Sequence, residues 1–325
     1  MRRGSNPILN SKILKKECYH RIVIPVYIPN LEGYYAESLD ILKLSLNSLV
    51  NTVHKKTCIT VIDNNSSIEV KYFLQELLSS GRIDQLITYS KNQGKVDPLV
   101  SFLKGCHENL ITLTDADVLF TPNWQSSVEN LFAAFPQAGM VSPLAAPSLH
   151  SFCTSFTWFY GLFKFRVYRD TNEDVSSLIK FHESINRERQ LNEYEKRPFF
   201  IENKKARAVL GNGHFCATIC KEVVPFIPLE FSGPNFKAAE ERFIDLPVVK
   251  AGFMRIATEK GYVFHLGNSV ESWMNSYVIS KDDFHEVTTG IPPRKRWFNS
   301  IWINYFIRRI FSQSFLLKIF MYRIN

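Results

Sequence analysis

Short apolar runs recur through the first 125 residues, and between them lie segments whose leucines fall at helical spacing. That alternation limits the fold more than any other feature of the chain. Arg21-Ile22-Val23-Ile24-Pro25-Val26-Tyr27 reads as a buried first strand, stopped by Pro25 and Pro29. Leu39, Leu42, Leu46 and Leu49 then predict a helix starting at Ser38 as N-cap. Cys58 to Ile62 is a second strand and runs into the turn-forming cluster Asp63-Asn64-Asn65-Ser66-Ser67. Val70 to Leu78 reads as helix, Leu86 to Tyr89 as a third strand closed by Asn92-Gln93-Gly94, and Val96 to His107 as helix. A fourth strand, Leu110-Ile111-Thr112-Leu113, ends at Thr114. Strands alternating with helices through short connections predict an α/β protein with an open, mainly parallel sheet flanked by helices.

Beyond residue 125 the pattern weakens. From 150 to 205 it dissolves into an aromatic stretch (Phe152, Phe156, Trp158, Phe159, Tyr160, Phe163) and then a charged one. It resumes with Ala208-Val209-Leu210, an acidic helix-like segment, and Tyr262-Val263-Phe264-His265-Leu266. At 325 residues the chain can bury one large core with an appendage. Its 39 basic residues exceed its 31 acidic ones, a net charge of +8 gathered at the two ends, which speaks against a basic nucleic-acid channel. The six cysteines form no zinc-ligand series, and Cys216 and Cys220 suit small buried positions. Met1-Arg2-Arg3-Gly4-Ser5-Asn6-Pro7 is basic without a following apolar stretch, so a cytoplasmic location is expected.

Thr114-Asp115-Ala116-Asp117-Val118 carries the clearest chemistry. In an extended strand, residues two apart share a face, so Asp115 and Asp117 would converge where open α/β sheets bind ligands. Two such carboxylates repel unless a cation lies between them, and a hard divalent ion with diphosphate oxygens is the natural partner. A polar turn after a strand is the plainer alternative.

The landmarks, taken in order, resemble a GT-A-fold glycosyltransferase of the family 2 type, which transfers sugars from nucleotide diphosphosugars. The residues that carry the resemblance are Val23-Ile24-Pro25-Val26-Tyr27, Val61-Ile62-Asp63-Asn64-Asn65-Ser66-Ser67, Asn92-Gln93-Gly94, Asp115-Ala116-Asp117, Glu240-Glu241 ahead of Ala251-Gly252-Phe253, and His265. It covers residues 20 to 268 and implies a leader (1–20), a catalytic domain (21–270) and a C-terminal extension (271–325). The nucleotide-binding half would be 21–125, and 126–270 the acceptor half. The donor would lie against Pro25, Tyr27, Asn92, Asp115 and Ala116, with Asp63 accepting a hydrogen bond from the base. Asp63 also suits an N-cap or an Asx-turn. Asp115 would lie near the ribose and the metal, and Asp117 would ligate Mn²⁺ or Mg²⁺. His265, at the end of an apolar strand, is either a hydrogen-bonded core residue or the third metal contact, and imidazole favours manganese.

Inverting transfer needs a base. The resemblance puts the acidic pair on Glu240 and Glu241, with Glu241 as base where the family commonly has Asp; a solvated acidic helix start is the plainer reading. Pro247 departs from the family pattern and should kink or end the helix, with Asp245 capping a new one. Gly211-Asn212-Gly213 lacks a dinucleotide fingerprint, so Gly213 and His214 suit a close approach to sugar or acceptor, or a packed loop. Arg294, Lys295, Arg296, Arg308, Arg309, Lys318 and Arg323 lie among Trp297, Phe298, Trp302, Phe306 and Phe311. That pattern predicts an amphipathic helical tail, with 294–323 resting on an anionic membrane or docked on the catalytic domain. The expected acceptor is a glycan or lipid-linked glycan in cell-surface polysaccharide synthesis. A sugar nucleotidyltransferase and a non-catalytic membrane-associated scaffold are the rivals. The former usually has a Gly-rich basic loop where this chain has Pro25-Val26-Tyr27-Ile28-Pro29.

Overall fold

Ile22, Val23, Ile24 and Val26 are all fully buried, which a strand achieves only when both faces of its sheet are covered. A computed structural model describes residues 18–187, 190–230, 232, 239–277, 291–292, 294–298 and 300–312. Residues 1–17 of the basic leader, together with Lys318 and Arg323 of the tail, lie outside the described residues. The chain opens with β1 (His20–Val26), α1 (Ser38–Thr52), β2 (Thr57–Asp63), α2 (Ile68–Ser79), β3 (Gln85–Thr88), α3 (Val96–Leu103) and β4 (Leu110–Thr114). β1 pairs in parallel with β2 and β4, and β2 with β3. This half forms as the apolar pattern predicts.

The chain continues through β5 (Val118–Phe120), α4 (Trp124–Ala134), β6 (Ala138–Ser142), α5 (Ser155–Phe163), β7 (Arg166–Arg169), α6 (Val175–Ser184) and α7 (Glu193–Lys196). It then forms β8 (Phe199–Glu202), β9 (Arg207–Leu210) and β10 (Cys216–Cys220). A π-helical turn (Glu241–Asp245) leads into α8 (Leu246–Lys250), β11 (Met254–Ala257) and β12 (Val263–His265), with α9 (Ile301–Ser312) near the C-terminus. The ten-stranded sheet has the order β3-β2-β1-β4-β10-β6-β11-β9-β8-β7. β10, β9 and β7 run against their neighbours, giving a mixed sheet on a largely parallel frame. Cys216 and Cys220 are buried in β10, as expected of small apolar side chains.

Three expectations change. The stretch 150–205 is ordered: α5 buries Phe156, Trp158 and Tyr160 and so shows no amphipathic period, while β7 and β8 are too short to read. Asp115 and Asp117 do not share one strand face. β4 ends at Thr114, and the chain turns out of the large sheet so that β5 can pair with β12. Asp245 caps no helix with its side chain, because that carboxylate is drawn into a buried ion pair with Arg255. Pro247 lies in the first turn of α8, where its missing N–H costs nothing, and the π turn precedes it.

Candidate functional site

The carboxyl ends of β1, β2 and β4 open onto a cleft of about 450 Å³ whose lining includes Pro25, Tyr27, Asn92, Asp115, Ala116 and Asp117. Every residue expected around the donor lines this cleft except Asp63, which sits just beneath it. Asp63 accepts a hydrogen bond from the Ser66 N–H three residues on (2.8 Å), the reach of a capping side chain rather than of an Asx-turn, while its buried Oδ2 has no partner. Asn64 donates to Asn92 Oδ1 (2.9 Å) and Gly94 O (2.8 Å) and accepts from the Gln93 N–H (2.8 Å). Asn92 therefore shapes the loop that delivers Lys95.

Lys95 is the residue that sequence reasoning missed. Its ammonium lies 2.7 Å from Asp115 Oδ1 and 2.6 Å from Glu240 Oε1. Burial opposes its charge, but Asp115 and then Glu240 outweigh that and hold the ammonium above its usual range. His214 reaches the same point because the backbone ahead of β10 continues its pairing with β4: the Asp115 N–H donates to Phe215 O (2.8 Å). His214 Nε2 is 2.8 Å from Glu240 Oε2, and Nδ1 is 3.2 Å from Asp245 Oδ2. Both ring nitrogens are thus engaged within the protein. Burial raises the Glu240 carboxyl, yet His214 and Lys95 bring it down to about 2. Glu241, one residue on, is partly buried and is not a member of this chain of ion pairs. Gly213 has room for a side chain, with a Cβ there meeting only Phe215 at 3.7 Å. Gly211 is the constrained glycine, at φ +104° and pressed against Ala146.

Asp117 and His265 form a second centre. Pairing of β5 with β12 sets His265 opposite Val118, and the Leu266 N–H donates to Asp117 O (2.8 Å). His265 Nε2 stands 3.5 Å from Asp117 Oδ2. That is too long for an N–H···O hydrogen bond and matches the ligand-to-ligand spacing of about 3–3.5 Å around one small divalent ion. Asp117 Oδ1 is buried with no hydrogen-bond partner. Burial, resisted by His265 and helped by the charge of Asp115, pushes the Asp117 carboxyl up. A carboxylate with one oxygen buried and partnerless and the other opposite an imidazole fits a cation. His265 Nδ1 lies 3.1 Å from Ser184 Oγ, and the Gly267 N–H donates to it at 3.3 Å, so the ring is held from its Nδ1 side with Nε2 toward Asp117.

A further cluster that could hold a metal, His20, His54 and Glu129, lies at the amino end of β1, away from the cleft. Glu129 Oε1 lies 2.8 Å from His20 Nδ1 and 3.0 Å from His54 Nε2, and His20 Nε2 lies 2.7 Å from Thr112 Oγ1, all hydrogen-bond distances.

The family described as "Glycosyl transferase family 2" matches residues 22–221. The chain belongs to glycosyltransferase family 2. Its α/β sheet with the switch-point cleft is the GT-A fold expected of that family. Among solved structures it is similar to the mannosyltransferase PcManGT from Pyrobaculum calidifontis in complex with GDP-Man and Mn²⁺. Identity there is 11%, coverage is 75% of this chain and 58% of that one, and the TM-score is 0.42. It is also similar to S. aureus TarS residues 1–349 in complex with UDP-GlcNAc, at 11% identity, 82% and 63% coverage and a TM-score of 0.41. In both cases the chain spans less than two thirds of the other protein. No curated protein matches it. In this family 2 chain the unexpected site residues are Lys95, Asp245, Arg255 and Ser184. Each acts through a partner distant in sequence, and only Asp245 had drawn attention, as a cap.

Proposed function

We propose that this chain is a metal-dependent, inverting glycosyltransferase that moves a sugar from a nucleotide diphosphosugar to a hydroxyl of a glycan or lipid-linked acceptor. The observation that carries the reading is Asp117 in the cleft, with one carboxylate oxygen buried without a partner and the other 3.5 Å from His265 Nε2. Asp117 and His265 would hold Mn²⁺ or Mg²⁺, with Asp115 beside them; the ion supplies charge neutralisation for the departing diphosphate. Tyr27 offers an aromatic face to the base, edge-on to Tyr35. Asp63, buried beside the cleft-lining Asn64, would turn its partnerless Oδ2 to the base. Lys95 brings a second positive charge to where phosphates would lie. Glu241 serves as base, since Glu240 is tied down by two cations.

The work is expected at the cytoplasmic face of a membrane, in cell-surface polysaccharide synthesis. No described helix is long and apolar enough to cross a bilayer. Support for the membrane comes from α9, whose Trp302 (83% exposed) and Phe306 (65%) face outward.

The test is release of nucleoside diphosphate from a panel of nucleotide sugars, with Mn²⁺, with Mg²⁺ and with a chelator. Cleavage should require the ion, and Asp117→Ala should lower it by about a hundredfold or more. Undiminished cleavage in the variant removes Asp117 from the metal site. Cleavage that ignores the chelator removes the metal.

A further inference from the structure

Six charged side chains run from the donor cleft into the core in strict alternation of sign: Asp115, Lys95, Glu240, His214, Asp245 and Arg255. His214 is the link between the cleft and the buried end. A neutral imidazole has one donor nitrogen and one acceptor nitrogen. Here each nitrogen faces a carboxylate oxygen, Glu240 Oε2 at 2.8 Å and Asp245 Oδ2 at 3.2 Å. A neutral ring would set a lone pair against one of them; only the doubly protonated ring satisfies both.

The backbone is adapted to this clamp. In a regular α-helix, residues five apart lie about 140° around the axis and could not grip one ring. Glu240 and Asp245 are five apart, and the wider π turn over Glu241–Asp245 brings both to His214. π turns of this kind recur at functional sites. Asp245 is fully buried and anchored by Arg255, which is 1% exposed and also donates to Phe152 O (3.0 Å) and Asn212 O (3.4 Å).

We propose that His214 is a positioning residue: an imidazolium at neutral pH that locks the start of the acidic helix against the donor cleft. Its catalytic consequence rests on the glycosyl-transfer reading above; its charge does not. The groups facing it are Glu240 and Asp245, with Lys95 and Arg255 behind them and Asp115 beyond Lys95. Burial opposes the charge, but Asp245 and Glu240 push the ring up to about 9.

Two measurements on the full chain test this. First, NMR of histidine-labelled protein, with His214 assigned by its loss in His214→Gln, should show a ring charged at neutral pH and titrating near 9. Glu240→Gln and Asp245→Asn should each lower that midpoint by about one unit or more. A ring already neutral at neutral pH overturns the proposal.

Second, nucleoside diphosphate release from whichever nucleotide sugar the wild type cleaves should fall on the alkaline side through the same midpoint. His214→Gln should lose about tenfold in kcat with donor KM changed by less than about threefold. His214→Lys, whose charge persists, should hold its rate where the wild type declines. Wild-type rate and pH profile in His214→Gln overturn the positioning role. If the wild type cleaves no nucleotide sugar, the glycosyl-transfer reading fails and the positioning role with it, while the NMR midpoint still decides the charge.

Discussion

Glu240 and Glu241 are neighbours in different surroundings, and that difference is what supports Glu241 as the proposed base. A carboxylate held at about 2 by Lys95 and His214 is a weak base at neutral pH. Glu241 has neither cation, so Glu241→Gln should lower kcat by about 10²–10⁴ while donor binding, followed by thermal shift, is retained. Intact transfer in that variant, with loss in Glu240→Gln, would move the base by one residue. The His214 clamp also predicts how stability varies with pH. Its pKa rises from 6.5 unfolded to about 9 folded, so its contribution is complete below 6.5 and drains away as pH rises through 9. Discounted for partial exposure, the loss should be on the order of 2 kcal/mol by urea unfolding, and His214→Gln should flatten it. Asp115, Asp117 and His265 were legible because each falls at the end of an apolar run. Lys95 was not, since a lysine after Asn-Gln-Gly carries no local signal. Arg255 was hidden inside an apolar strand, where its purpose depends on Asp245 and on carbonyls from other elements.

At the scale of elements, legibility follows periodicity. β1 to β4 and the helices between them were readable because each strand is an apolar run and each helix has one buried stripe. α5 is buried nearly all round, which erases its period, and β7 to β9 are only four residues each. The turn carrying Asp115 and Asp117 was misjudged because β5 leaves the large sheet for a partner, β12, that lies far along the chain. The connection from β9 to β10 gives a direct contrast between two glycines. A Cβ on Gly211 would lie 2.4 Å from Ala146 O at a φ of +104°. Gly211→Ala should therefore cost about 2 kcal/mol or more, and Gly213→Ala, with its nearest atom at 3.7 Å, no more than about 0.5 kcal/mol. Chemical denaturation of the two variants decides it, and equal losses would show that Gly213 is also structural.

The whole molecule joins this catalytic frame to a tail that the sequence left divided between docking and membrane contact. The described part of α9 does the first, and its outward face is the basis of the membrane proposal. Asn304, Ile307 and Phe311 are buried against the body, where Phe311 meets Phe159 edge-on at 5.8 Å. Trp302, Ile303, Tyr305 and Phe306 are exposed on the other side, with Arg309 also exposed. An outward aromatic face beside arginines suits an anionic interface, where each large side chain withdrawn from water contributes roughly 2 kcal/mol. Deleting the tail would uncover α5 and confuse stability with binding, so point changes are the sharper test. Trp302→Ala with Phe306→Ala should weaken co-sedimentation with phosphatidylglycerol vesicles by about a thousandfold and leave Tm unchanged. Ile307→Ala with Phe311→Ala should instead lower Tm, because those side chains hold α9 to the body. Vesicle binding that survives loss of both outward aromatics would return α9 to a purely structural role, and the acceptor would then have to be sought in solution.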